Sequence, residues 1–115
     1  MPGEVFKVTK YILKLGHKVK LTFDGTTIEA QGILSCYGEH PQQLIIYGLH
    51  PNSPVPPSAV CNWSVRLGSI FVPFEDLPAY VDLVRNEEPV YARISSDDPD
   101  SMVLGTDMEP TGEGE

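Results

Sequence analysis

The chain has 115 residues, 41% of them hydrophobic, with eleven prolines, ten glycines and a formal net charge of −8. That length and apolar content suit one small domain with a core of short elements, and exclude a chain disordered throughout. No apolar run approaches the ~20 residues that span a bilayer, and the start, Met1-Pro2-Gly3-Glu4, lacks a basic-then-apolar leader pattern. A cytoplasmic protein is therefore expected, with Cys36 and Cys61 as reduced thiols.

The charge is uneven. Residues 97–115 carry seven acids and no base, while Lys7, Lys10, Lys14, Lys18 and Lys20 crowd the first 20 residues. A globular domain over residues 1–105 followed by a flexible acidic tail over 106–115 is expected. The overall balance argues against a general nucleic-acid surface. The lysines read as a solvated face, and the tail as a solubilising one.

In chain order, residues 5–15 carry two patterns. Val8, Tyr11, Ile12 and Leu15 fall at helical spacing with Gly16 as a stop. The residue types are strand formers, so a strand Phe6–Thr9 followed by a short helix or a second strand competes with it. The stretch Lys18–Gln31 is firmer. Asp24-Gly25 between alternating runs predicts a two-residue type I′ hairpin. Such a loop sets Phe23 opposite Thr26, Thr22 opposite Thr27, Leu21 opposite Ile28, Lys20 opposite Glu29 and Val19 opposite Ala30.

The second arm continues through Gly32, a candidate bulge, to Cys36. A turn follows over 37–42, then a central strand around Leu44-Ile45-Ile46-Tyr47. Residues 50–59 hold Pro51, Pro54, Pro56 and Pro57, an extended surface loop. Asn62–Leu67 alternates with Trp63, Val65 and Leu67 inward, and Ile70-Phe71-Val72 continues the strand pattern. Asp76 and Pro78 open a helix with the apolar stripe Leu77, Tyr80, Val81 and Val84; Asn86 and Pro89 close it. Val90, Ala92 and Ile94 alternate in a further strand, and Met102–Leu104 suits a last one. The expected fold is α+β, mainly β. It is a small bent antiparallel sheet or partly open barrel of six or seven short strands, with one helix at about 77–86.

The hairpin with Gly32-Ile33-Leu34, and later Val65-Arg66-Leu67-Gly68-Ser69-Ile70, together resemble the two motifs of the Sm/Lsm family over residues 17–72. The resemblance implies a small bent-sheet barrel that assembles into rings and binds RNA. The chain departs from that pattern at the residues that read a base. Gly38 stands at the family's Asp, Gln42 at its base-binding Asn, and Leu67 splits the Arg-Gly pair. The stretch from Gly25 to Gly32 is longer than in the family, and proline-rich residues intrude between the motifs.

Three site hypotheses follow. Cys36, His40, His50 and Cys61 supply four ligands, the number a structural zinc needs, although their spacing matches no common knuckle. Cys61 as a thiol nucleophile lacks a following glycine turn or helix N-terminus. The proline loop with Pro54, Pro56 and Pro57, aromatic Tyr37 and Tyr47, and Arg66 form candidate binding residues for a protein partner. The acidic pairs Glu75-Asp76, Glu87-Glu88 and Asp97-Asp98 belong to a helix start, a helix end and a turn, and no phosphate loop or Ser-His-Asp set can be placed. The leading reading is a non-catalytic protein–protein interaction module. An Sm-like RNA-binding barrel and a small thiol- or metal-dependent enzyme are the alternatives. The expected partner is another protein, with self-association into a homo-oligomer left open. No nucleic acid, membrane or cofactor is expected.

Overall fold

The computed structural model describes residues 3–106. Among these residues eight strands, where six or seven were expected, form two sheets. β1 (Gly3–Lys7), β7 (Val90–Ser95) and β8 (Val103–Thr106) make the smaller, in the order β1-β7-β8. β2 (Lys10–Phe23), β3 (Thr26–Tyr37), β4 (Gln43–Leu49), β5 (Val60–Asn62) and β6 (Leu67–Pro73) make the larger, in the order β2-β3-β4-β6-β5. One helix, α1 (Leu77–Asn86), follows β6. The α+β, mainly β expectation with one helix holds, but the strands divide between two sheets where one was expected, and the larger does not close into a barrel: β2 and β5 remain its free edges.

The hairpin forms as its residues dictate. Asp24 (φ 48°) and Gly25 (φ 85°) supply the two positive angles of the turn. All five expected cross-strand pairs, Phe23/Thr26 to Val19/Ala30, are present. Thr22 and Thr27 join hydroxyls at 2.9 Å. Apart from the connecting Val8 and Thr9 the stretch before the hairpin is strand, so the helical option over 5–15 is overturned. Val8 N donates to Val90 O and Thr9 N to Tyr37 O, each at 2.8 Å, carrying the chain from the smaller sheet into the larger.

The bulge expected at Gly32 falls one residue earlier: the β3–β4 register slips between Ala30 and Gly32, and Gly32 itself pairs with Gly48. Its further role is close approach. A Cβ there would overlap Leu77 Cδ2 and stand 3.0 Å from Phe74 Cε1. The bare backbone of β3 is thus the seat on which α1 docks through buried Leu77. Asp76 occupies the N-cap position and Pro78 the first turn, yet the Asp76 side chain makes no capping bond. The preceding Phe74–Asp76 is itself a 3-10 turn, which leads into the helix without a side-chain cap.

The core lies on both faces of the larger sheet. Leu34, Cys36, Leu44 and Ile46 face the smaller sheet's Phe6, Ala92 and Ile94, with Leu77 and Met102 completing the cluster. On the other face, Ile28, Ala30, Tyr47 and Leu49 pack with Leu21, Phe23, Ile33, Ile45 and Phe71.

Three expectations need correction. β4 and β6 pair in parallel, so the sheet is mixed. The strand expected over Asn62–Leu67 is broken: Trp63–Val65 is a 3-10 turn, and Arg66 takes a left-handed φ of 54°. That twist turns Val65, expected inward, out to 55% exposure. Thr106, assigned to the tail, pairs with Val90 in β8; the rest of the expected tail lies outside the described residues. Among the described residues no helix is long and apolar enough to cross a membrane.

Candidate functional site

The most exposed apolar feature is β2. It is a sheet edge, paired to β3 on one side only, and every residue from Lys10 to Lys20 is exposed. Before an irregularity between Leu15 and Val19, six residues run in regular register: Lys10/Tyr37, Tyr11/Cys36, Ile12/Ser35, Leu13/Leu34, Lys14/Ile33 and Leu15/Gly32. Opposite residues in a ladder share a face. Tyr11, Leu13 and Leu15 therefore extend the core row of Cys36, Leu34 and Gly32 toward solvent. Lys10, Ile12 and Lys14 extend the other face. Ile12 is 47% and Leu15 69% exposed.

An edge strand presents unpaired N–H and C=O groups along its open side. Here that backbone is flanked by apolar side chains on one face and lysines on the other. Among the described residues the ion pairs are Lys7–Glu88 (3.8 Å) and Arg66–Glu4 (3.6 Å), and neither uses a β2 lysine. Lys10 Nζ stands 5.8 Å over the Tyr37 ring. At the start of β2 a hollow of about 340 Å³ opens between Val8, Lys10 and Tyr11 on one side and Val84, Glu87 and Val90 on the other. At the irregularity, the His17 ring meets His50 edge-on at 6.0 Å.

The residues chosen from sequence are dispersed. Tyr37 is half-buried at the end of β3, beneath Lys10. Tyr47, a candidate binding aromatic, is only 7% exposed. It stacks on Phe71 at 5.6 Å and meets Phe23 at 5.3 Å. Burial pushes its phenol above the usual range, with a Ser69 hydrogen bond partly opposing. The proline loop is fastened at both ends. Ser53 Oγ accepts from Glu29 N at 2.8 Å, and Asp100 Oδ1 accepts from Ala59 N at 2.9 Å. Pro56 is buried and Pro54 and Pro57 are exposed, so one side of this segment is already covered by its own chain.

Arg66 is held by internal contacts. Its guanidinium lies 4.0 Å over the Trp63 ring, and Nη1 donates to Trp63 O. Glu4 receives Arg66 Nε on one oxygen and Gln42 Nε2, at 2.7 Å, on the other. These groups border an open hollow of about 630 Å³ with His40 at its rim. Gln42, at the family's base-binding position, is drawn into this network, and Arg66 presents no free guanidinium beside it.

The four proposed metal ligands do not meet. His40 and His50 lie beyond opposite ends of β4, whose seven residues separate them by about 20 Å. Cys36, Leu44, Gly68 and Cys61 form one row across four strands, which sets the two sulfurs about 14 Å apart by strand spacing. Among the described residues no group of three or more His, Cys, Asp or Glu is arranged to hold a metal. Both cysteines are free. Burial alone pushes the Cys36 thiol up to about 12, which leaves it protonated and inert at neutral pH. Burial also raises Cys61, with a Ser95 backbone hydrogen bond and the Arg66 charge opposing.

The β2 edge was missed in the sequence because Val8, Tyr11, Ile12 and Leu15 imitate a helix. The period-two split of Tyr11, Leu13 and Leu15 from Lys10, Ile12 and Lys14 carried the signal. Comparison with family models, with characterised proteins and with solved structures gives no match.

Proposed function

We propose that this chain is a non-catalytic, cytoplasmic protein-binding module that receives another protein as an added strand along β2. The observation carrying the reading is the open edge Lys10–Leu15, with Tyr11, Ile12, Leu13 and Leu15 exposed on a strand held on one side only. Strand addition uses such an edge: main-chain hydrogen bonds supply affinity, and alternate side chains supply specificity. The rest of the fold backs that edge on one side. β2 leans on the buried strand β3, and β3 on the central strand β4.

The test is affinity capture of the full-length protein from its native cell extract, with and without nuclease, beside a Leu13→Glu variant. Leu13 is exposed, so the substitution charges the edge without emptying the core. A stoichiometric protein that survives nuclease and is lost with Leu13→Glu is expected. A partner that vanishes with nuclease, or that binds the variant equally well, contradicts the reading.

A further inference from the structure

We infer that the strand accepted by β2 is an extended segment of another chain in which acidic and apolar residues alternate over about six positions; this rests on the binding-edge reading above. The argument is one of faces and charge. A strand laid beside Lys10–Leu15 continues the sheet, so its side chains fall alternately on the two faces. On one face they meet the row Tyr11, Leu13 and Leu15, which is apolar throughout and continuous with Leu34 and Cys36 of the core. On the other face they meet Lys10 and Lys14, with Ile12 between them. Cross-strand pairing favours opposite charge and disfavours like charge. Apolar on one side and acidic on the other, at a period of two, is the pattern that matches both rows.

The length follows from the irregularity after Leu15, where the regular register of β2 ends. Among the described residues no ion pair uses Lys10 or Lys14. Glu88 pairs with Lys7, Glu29 lies opposite Lys20, and Glu87 lies across the hollow from Lys10. A second copy of this chain is a poorer occupant. Antiparallel self-pairing within the regular segment, centred on Leu13, sets Tyr11 against Leu15 and Ile12 against Lys14; residues 10–15 contain no acid, so a copy gives neither Lys10 nor Lys14 an opposite charge. An acidic strand supplies the opposite charge to Lys10 and Lys14 that a copy lacks.

The experiment titrates full-length protein with three eight-residue peptides with blocked ends. One alternates Glu and Val, one alternates Lys and Val, and one has the Glu and Val residues in two blocks. The alternating acidic peptide is expected to bind and the other two to bind at least about tenfold more weakly. Lys10→Glu with Lys14→Glu is expected to weaken the acidic peptide by about tenfold and to create binding of the lysine peptide, a gain that misfolding cannot mimic. Raising salt from 50 to 500 mM is expected to weaken the acidic peptide and leave Leu13→Glu without binding at either salt.

Equal binding of the acidic and lysine peptides, abolished by Leu13→Glu, overturns the acidic partner and keeps the edge. No binding of any peptide also overturns the proposal, and the extract capture with Leu13→Glu then decides whether the edge reading falls with it. A dimer in sizing that Lys10→Glu leaves intact and Leu13→Glu dissolves assigns the edge to a second copy, against the proposal. A tenfold rise in peptide affinity on removing residues 107–115 assigns the edge to the chain's own acidic segment, also against it.

Discussion

Leu77 anchors α1 on the glycine seat of the larger sheet, and a double-mutant cycle with Gly32 tests that packing. Leu77 is 2% exposed, and its Cδ2 fills the space a Cβ at Gly32 would claim, while a Cβ at Gly48 would stand 3.2 Å from the same atom. Leu77→Ala removes these buried contacts and leaves a void, at a cost of about 2–5 kcal/mol. Against a total stability of roughly 5–15 kcal/mol, that is a substantial fraction. Gly32→Ala alone overpacks the seat against Leu77 and Phe74, at about 1–3 kcal/mol. In the double variant the new methyl enters the vacated space, so the summed cost falls short of additivity by about 1–2 kcal/mol. Urea denaturation followed by circular dichroism on the four proteins measures the cycle. Additivity within about 0.5 kcal/mol would show that α1 is not seated on Gly32, and the fold account would lose its main helix contact.

Other outcomes follow from the cysteines and from the Arg66 network. Cys36 should resist a small alkylating reagent in folded protein and react fully once unfolded; rapid labelling at neutral pH would contradict its burial. Its folded-state value, raised from 9.0 to about 12, means that the unfolded chain releases this proton first as pH rises. The stabilisation is therefore complete below pH 9 and declines above it, by up to about 1.4 kcal/mol per pH unit until about pH 12. Stability measured from pH 8 to 10.5 should decline less steeply in Cys36→Ala than in the parent, and an identical slope would refute the assignment. Arg66→Ala should remove the cation from the chain's one tryptophan, shift its emission and cost about 1 kcal/mol; unchanged fluorescence would show that the 4.0 Å stacking is not kept in solution.

Local signals made the hairpin and the helix legible. A two-residue loop fixes the register of its flanking strands, so Asp24-Gly25 determined five pairs at once. The stripe Leu77, Tyr80, Val81 and Val84, with Pro78 in its first turn and Pro89 beyond its end, left α1 little freedom. Contacts remote in sequence were hidden. The parallel pairing of β4 with β6 has no local signature, because it joins strands across the proline crossover and β5. Trp63 to Leu67 alternates as a strand should, but Arg66 is turned by its own contacts with Trp63 and Glu4. His40 and His50 bracket one strand in sequence, and a strand is a spacer: what frames it is held apart. Tyr47 carries a hydroxyl that suggests a wet surface, yet Ser69 satisfies it inside. The exposure of Tyr11, Leu13 and Leu15 was the least legible feature, since apolar residues on a strand read as core until the sheet order shows no neighbour.

The most direct measurement of the binding claim is backbone amide hydrogen exchange on full-length protein, alone and saturated with the alternating acidic peptide. An added strand closes hydrogen bonds along the open side of β2, so the exchanging amides between Lys10 and Leu15 should slow by at least tenfold, in alternation. The amides of α1 and of the Trp63–Arg66 turn should stay as they were. Protection that falls instead on the hollow beside Arg66 and Gln42, or no protection in β2 at peptide saturation, would contradict strand addition and with it the proposed function.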